Sequence, residues 1–395
     1  PNPQWHPPAP AATSASGRLM KGMCYSPVPF RRVGSLPNDD FSTENATSMW
    51  GHPRNDLEMI RKLGANTVRL YGNSPTAEHS SFLDEAAAQG LKVVVGMSDY
   101  PYTQMRGACR HNGYDCYKLV KATYLMNLLK GFVEGGAGPQ NKSYHPALST
   151  VIVINEPDLK MPGIHEPRRF AKAIVSALDG MLDAEKEVGL SGNLVNFTAS
   201  FSFGLCPNCQ SFSRNPGLGQ IYELEQAMLH PEAYGYAPRN NLTTAYYARW
   251  THSFNTAAPA KFVRSKFVEP YEEHFVSTPV VIMEYHTPFK NPYDDMHSIL
   301  EVAENSSLLQ GASFFEFQVR YDKGGSEMEF GMFGLGSYNF GDFDYYGETF
   351  GSWCLKPVKD RYGSMPALVA KAMGGPGLDW DFLCSPDPAK VPVTS

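Results

Sequence analysis

The sequence predicts an α/β fold, a (β/α)8 TIM barrel that forms a single domain with extended loops and a C-terminal tail. Three observations predict it. Short apolar runs alternate with amphipathic stretches from Leu19 onward, the pattern of βα units. Eight such runs occur, seven of them followed by a helix-like segment, which favours a closed barrel over an open doubly wound sheet. The chain of 395 residues, 42% hydrophobic, suits one large core, with no repeat of about 20–50 residues and no linker to divide it.

The elements follow in order. Leu19 to Ser26 is a first strand, with a long loop to about His52. Arg54 to Leu63 places Leu57, Ile60 and Leu63 at helical spacing, and Gly64 stops it. Asn66 to Tyr71 is strand two, His79 to Gln89 a helix ended by Gly90, and Leu91 to Met97 strand three. A loop carrying Cys109 and Cys116 leads into a helix from Tyr117 to about Glu134. Val151 to Ile154 is bare apolar sequence, as a parallel strand buried on both faces requires. Glu166 to Glu187 is helical up to Gly189, Leu194 to Phe201 is strand five, and Gly219 to Leu229 is its helix. Ala245 to Ser253 reads as strand six, Phe262 to Phe275 as helix, Val280 to Met283 as strand seven, Asp294 to Glu304 as helix and Ala312 to Phe317 as strand eight. Gly324 to Gly351 reads as a long loop over the C-terminal face. The expected organisation is an extended arm over 1–18, a catalytic barrel over 19–352 and a packed tail over 353–395.

Composition excludes some classes. Net charge is −6 with no Lys/Arg-rich block, so the electrostatic footprint of a nucleic-acid binder is missing. No run of about 18 apolar residues exists to span a membrane. The Pro/Ala/Ser-rich start has neither an initiator Met nor an apolar signal segment, which reads as a processed N-terminus. Asn-x-Ser/Thr triplets begin at Asn45, Asn141, Asn196, Asn241 and Asn305. Of seven cysteines, Cys109/Cys116 and Cys206/Cys209 form close pairs, Cys354 and Cys384 are candidates for a third bridge stapling the tail, and Cys24 is left over. Sequons and paired cysteines together point to a secreted, extracellular or cell-wall glycoprotein rather than a cytosolic enzyme with seven thiols.

In a barrel of this type the active site is built at the C-terminal ends of the strands. Strand four closes on Asn155-Glu156-Pro157 and strand seven on Glu284-Tyr285-His286, so each delivers a carboxylate to one rim. Glycosidic bond cleavage needs two such groups, one to protonate the leaving oxygen and one to attack or stabilise the anomeric carbon. A separation of about 5–5.5 Å gives retention and roughly 6.5–9.5 Å inversion. Either glutamate alone would read as a cap or an ion-pair partner; the two on strands four and seven read as a catalytic pair.

That arrangement resembles the glycoside hydrolases of clan A. The resemblance implies Glu156 as acid/base, Glu284 as nucleophile, and Asn155 as hydrogen-bond partner of the sugar 2-hydroxyl. The stretch Asp56 to Tyr71, DLEMIRKLGANTVRLY, is similar to the helix-one to strand-two segment of two β-1,3-glucan-active families. These are the fungal glucanosyltransferases (glycoside hydrolase family 72) and the endo-β-1,3-glucanases (family 17). In both, an Arg on strand two supports the nucleophile, which implies that role for Arg69. Pro279 to Tyr285 is similar to the family-72 nucleophile segment, and Phe314 to Gln318 and Phe330 to Leu335 resemble its strand eight and the segment beyond. The likeness runs from Leu19 to Leu335 in four or five short blocks. Here His286 stands where family 72 has Gly, the strand-four motif has Pro157 after its Glu and lacks a Gly before its Asn, and the cysteine spacing differs.

Further substrate-binding candidates are Trp250, His252 and Asn255 at the expected end of strand six. The aromatics Tyr71, Tyr100, Tyr102, Tyr285, Phe317 and Tyr321 offer ring faces to sugar C–H surfaces, or fill the core. Glu316, inside strand eight, is a third site carboxylate or, more in keeping with burial, an ion-pair partner. Asp342, Asp344 and Glu348 fit no calcium loop and read as solvated acids. A lone Cys-Pro-Asn-Cys is a poor zinc site, so neither metal nor cofactor is expected. The expected function is a monomeric retaining β-glycosidase, hydrolase or transglycosidase, acting on β-1,3-glucan through a covalent glycosyl-enzyme. The alternatives are action on another β-linked polysaccharide, or a catalytically silent carbohydrate-binding wall protein.

Overall fold

A computed structural model describes residues 19–134 and 142–384. The expected N-terminal arm, the sequon at Asn141 and the end of the tail lie outside the described residues. Eight parallel strands close into a barrel: β1 Met20–Cys24, β2 Thr67–Arg69, β3 Lys92–Gly96, β4 Leu148–Asn155, β5 Asn196–Phe201, β6 His252–Thr256, β7 Val280–Tyr285 and β8 Leu309–Phe314. Each pairs with its chain neighbours, and β8 closes the ring on β1 with Met20 opposite Gly311. The ring is surrounded by helices, including α1 Asp56–Lys62, α2 Ser80–Ala88, α3 Tyr117–Asn127, α4 Pro167–Val188, α5 Leu218–Leu229, α6 Leu242–Arg249, α7 Pro292–Glu304 and α8 Met365–Met373. The longest, α4, starts on Pro167 at its first position and ends at Gly189 in the left-handed conformation, the residue types those two places favour.

Packing follows the two-sided burial of the strands. Val94, Ile152, Val281 and Met283, with Met20 against them, fill the barrel axis, while Val151, Val153, Val280 and Ile282 face the helix layer. Two strands then break alternation next to the site. Ile152 pairs with Thr198 and Asn155 with Ser200, so β4 carries one surplus residue against β5. Ile282 and Glu284 pair with the adjacent Phe254 and Asn255, so β7 carries one against β6, and its pairing with β8 shows the same extra residue. Each bulge turns the following residue to the inner side, and a bulge beside a site does this to a side chain.

Three elements differ from expectation. Residues 242–249 are helical, not strand: Asn241 caps α6 by accepting from the Thr244 amide at 2.9 Å, and strand six begins only at His252. The expected loop over 324–351 contains a short 3-10 turn at Gly325–Glu329 and a long hairpin, β9 Phe333–Tyr345 and β10 Glu348–Pro357. Its two-residue turn, Tyr346-Gly347, has φ of 52° and 86°, matching the right-handed twist of the strands. The expected change from barrel to tail at residue 353 falls inside β10. Strand eight also ends three residues early, at Phe314.

Three disulfides join Cys109 to Cys116, Cys206 to Cys209 and Cys354 to Cys384, and Cys24 is a buried free thiol. Asn45, Asn196, Asn241 and Asn305 are all exposed. Among the described residues, no helix is long and apolar enough to cross a membrane.

The long segment after β1 is anchored by a buried ion pair. Asp40 Oδ2 lies 2.9 Å from His79 Nε2, and His79 Nδ1 lies 3.1 Å from the Lys130 carbonyl. Both partners accept, so both ring nitrogens donate and the imidazole is cationic. Burial pushes its pKa down, but the hydrogen bond and charge of Asp40 outweigh this and the net shift is upward. A raised folded pKa stabilises fully below the unfolded value near 6.5 and is lost as pH rises through the folded value. We therefore expect the difference in melting temperature between wild type and His79→Gln to be largest at about pH 6 and to shrink above it. A pH-independent difference would rule the cation out.

Candidate active site

The C-terminal mouth of the barrel brings six of the expected residues together, Arg69, Tyr71, Asn155, Glu156, Asn255 and Glu284. Arg69 ends β2, Asn155 ends β4 with Glu156 next to it, and Glu284 follows the bulge in β7. Tyr71 lies two residues past β2, with the Arg69 guanidinium 3.4 Å from its ring centroid. Arg69 Nη2 donates to Asn155 Oδ1 at 2.8 Å and lies 3.0 Å from Glu284 Oε1. Asn255, at the end of β6, donates from Nδ2 to Asn155 Oδ1 at 3.1 Å and to Glu156 Oε1 at 3.2 Å. Ser200 donates to Asn255 Oδ1 at 2.6 Å and so fixes which way that amide faces. One run of polar contacts therefore links the two carboxylates: Glu156, Asn255, Asn155, Arg69, Glu284. Glu156 sits at φ 51°, a left-handed conformation that costs a non-glycine residue energy and recurs at functional sites.

The electrostatics are uneven. Burial raises the Glu284 pKa, Arg69 pulls it back, Glu156 raises it again, and the net direction is upward. Although Arg69 is close, Glu284 Oε1 has no well-aimed hydrogen bond, and Arg69 Nε and Nη1 are likewise buried without partners. The Arg69–Glu284 attraction is thus a charge contact with donor capacity left over on the arginine.

Two lobes of a cleft meet over this floor. The larger, about 750 Å³, is lined by the segments after β1, β2 and β3, including Asn38, Asp39, Asn73, Ser98 and Tyr100. The smaller, about 560 Å³, holds Glu156 and Glu284 between Phe203, His286, Phe315 and Phe330. Tyr71, Asn155, Lys160 and Lys323 belong to both. The cations lining the lobes are each held by an acid of the chain: Arg69 by Glu284, Lys160 by Asp99 at 2.6 Å, Arg320 by Asp322 at 2.6 Å and Lys323 by Glu327 at 3.1 Å.

Other expected residues lie elsewhere. Trp250 and His252 stand at the start of β6, the far end of the barrel from the cleft, because strand six is displaced toward the C-terminus. His252 is buried between the Tyr246 and Tyr271 hydroxyls, and burial, with the charge of His274, lowers its pKa to about 3. The Tyr285 ring points to the helix layer, where its hydroxyl donates to Asp295 Oδ1 at 2.9 Å. Phe317 is core, packed on Tyr25 and Phe333. Tyr102 is buried, with its hydroxyl on the Val153 carbonyl at 2.7 Å. Tyr321 uses its hydroxyl to accept from the Leu335 amide. Glu316 is wholly buried, yet it forms no ion pair, and neither of its oxygens has a hydrogen-bond partner. Asp342, Asp344 and Glu348 are exposed on the hairpin. Sequence reasoning missed Ser200, Phe203, His286, Phe315 and Phe330. Position after an apolar run was the available signal for Phe203 and His286.

The one group of three possible metal ligands among the described residues is Asp84, Glu134 and His145. His145 Nδ1 accepts from the Ala147 amide at 3.1 Å, which leaves the proton on Nε2, pointing at the two carboxylates. A metal would need the lone pair that this proton occupies.

No family model and no curated protein matches the chain. Solved structures do. Saccharomyces cerevisiae Gas2p in complex with laminaripentaose is similar at a TM-score of 0.51 and 13% identity, covering 96% of this chain and 72% of that one. Gas2 in complex with compound 10 gives 0.55 at 13% identity with the same coverage. ScGas2 in complex with compound 8 gives 0.53 at 12% identity, covering 91% of this chain and 65% of that chain, so here the match spans less than two thirds of the solved chain. The likeness is one of fold. It places this chain among (β/α)8 barrels of that architecture.

Proposed function

We propose that the protein is a retaining glycosidase or transglycosidase acting on β-1,3-glucan by double displacement. The observation that carries this reading is the run of contacts joining Glu156 to Glu284 at the mouth of the barrel. Glu284 attacks the anomeric carbon while Glu156 protonates the departing oxygen. Glu156 then takes a proton from water, giving hydrolysis, or from a sugar hydroxyl, giving transfer. Arg69 favours the ionised form of a buried nucleophile, and Asn155, held by Arg69 and Asn255, presents its amide to the sugar 2-hydroxyl. Each cation lining the lobes already lies against an acid of the chain, so the cleft offers no surplus positive charge, which suits a neutral polymer. Gas2p complexes with laminaripentaose support a β-1,3-linked one. Three disulfides support an oxidising compartment, so we place its action outside the cytosol, as a monomer on cell-wall or extracellular glucan.

The test is incubation with laminari-oligosaccharides and, in parallel, β-1,4-linked oligosaccharides. Turnover of the first set is expected, with products longer than the substrate marking transfer and their absence marking hydrolysis. Glu156→Gln should reduce turnover by about 10²–10⁴-fold, the usual contribution of a positioned acid/base. Equal rates for wild type and variant would remove Glu156 from the mechanism.

A further inference from the structure

Beneath the cleft lies a carboxyl group that the proposed mechanism does not use. Glu316 follows β8, and its backbone is pinned on both sides. Its amide donates to the Phe330 carbonyl at 3.1 Å, its carbonyl accepts from Met332 at 3.0 Å, and the next amide donates to Cys24. The side chain is wholly buried and both oxygens lack any partner in the protein. A carboxylate cannot remain ionised in such a place without a bonded counterion, because the desolvation penalty is several kcal/mol or more. As a carboxylic acid it carries a proton and needs an acceptor.

Phe315 before it donates to the Tyr285 carbonyl at 3.0 Å and Phe317 after it to the Cys24 carbonyl at 3.0 Å, so Glu316 is held between the end of β7, where Tyr285 follows Glu284, and the end of β1. The ionisable groups that act on it are Cys24, Tyr71, Glu284, Arg320, Lys323 and Glu327. Cys24 already donates to the Met283 carbonyl at 3.2 Å. Arg320, Lys323 and Glu327 are engaged with acids or bases of their own segment. What remains is Glu284 Oε1, buried and without an aligned donor; the Tyr71 hydroxyl lies near enough to lower the Glu284 pKa but makes no well-aimed bond to it, which leaves room for a second donor. Burial drives the Glu316 pKa well above the usual carboxylate range. Arg320 and Lys323 offset part of this, and Glu284 and Glu327 add to it.

We propose that Glu316 is a positioning residue for the nucleophile, a neutral carboxylic acid whose proton is offered, directly or through one buried water, to the unpartnered Oε1 of Glu284. This rests on the reading of Glu284 as nucleophile. A donor fixed there orients the carboxylate, favours its ionised form, and stabilises the charge that returns to it when the glycosyl-enzyme breaks down.

Two variants of the full chain test it. Glu316→Gln keeps a neutral donor of the same shape; Glu316→Leu removes it. The infrared difference between wild type and Glu316→Gln at neutral pH should show a protonated carboxyl band in wild type alone. In kcat-against-pH profiles Glu316→Gln should keep the acid limb in place. Glu316→Leu should move that limb to higher pH and lower kcat about tenfold or more with KM little changed, the scale of one lost hydrogen bond to a charged group. Three results would overturn the proposal: no protonated band, an acid limb lowered by Glu316→Gln, or a profile untouched by Glu316→Leu. If Glu316→Leu does not fold, the infrared and Glu316→Gln arms still decide. The infrared arm does not depend on activity, so it separates failure of this inference from failure of the glycosidase reading.

Discussion

Glu284→Gln is expected to lower kcat on laminari-oligosaccharides by on the order of 10⁴-fold or more, the scale on which loss of an essential nucleophile is felt. The amide cannot attack the anomeric carbon, so neither water nor a sugar hydroxyl has a glycosyl-enzyme to intercept. Binding should survive, because Asn155, Tyr71 and the walls of both lobes are untouched. Rapid-quench mass spectrometry should find a covalent adduct in wild type and none in the variant. The substitution also leaves Arg69, a buried cation, without its counter-charge, so a moderate drop in melting temperature should accompany it. Retained turnover in a folded Glu284→Gln would sink the double-displacement reading.

Arg54→Leu is expected to cost about 3–5 kcal/mol of stability, the largest loss we anticipate from a single exchange away from the cleft. Arg54 grips Asp56 through two parallel contacts, Nε to Oδ1 at 2.8 Å and Nη2 to Oδ2 at 2.5 Å, and both side chains are buried. The Tyr25 hydroxyl donates to the same carboxylate at 2.9 Å, tying the end of β1 to the start of α1. Burial alone raises the Asp56 pKa, with Arg54 opposing it. Removing the guanidinium strands a carboxylate at the heart of the first βα unit. Chemical denaturation at neutral pH measures the loss, and the double variant Arg54→Leu with Asp56→Leu should recover much of it. A single variant as stable as wild type would show the pair to be dispensable.

Much of this was legible in the sequence, for reasons that differ between residues. Glu156 and Glu284 close apolar runs that can only be buried parallel strands, and strand ends at one rim are where such barrels place chemistry. Arg69 and Asn155 were legible through resemblance, since nothing in their own spacing marks them. Trp250 and His252 went astray with strand six. Tyr246, Tyr247 and Trp250 carry β-forming character, but Asn241 starts a helix there, and the strand slid by several residues. Residues expected at the top of the barrel thereby landed at its bottom. The hairpin was hidden because Tyr346 takes a positive φ that tyrosine rarely adopts, so no ordinary turn signal preceded Gly347. Asn255 was legible as a candidate, but its contacts with Asn155 and Glu156, and Ser200, which acts only through Asn255, depend on which strands are neighbours. Glu316 gave a signal of burial but none of its missing partner.

The surplus residue in β4 and in β7 has a consequence for how such a barrel changes over time. A bulge takes up a surplus residue without moving the pairing above it: Asn155 stays opposite Ser200 and Glu284 opposite Asn255 whether or not the extra residue lies below. Either strand can therefore gain or lose one residue beneath the mouth, at a cost in packing, and still hold its carboxylate over the cleft. Strand length and the placement of the two glutamates are uncoupled at these two points of the barrel.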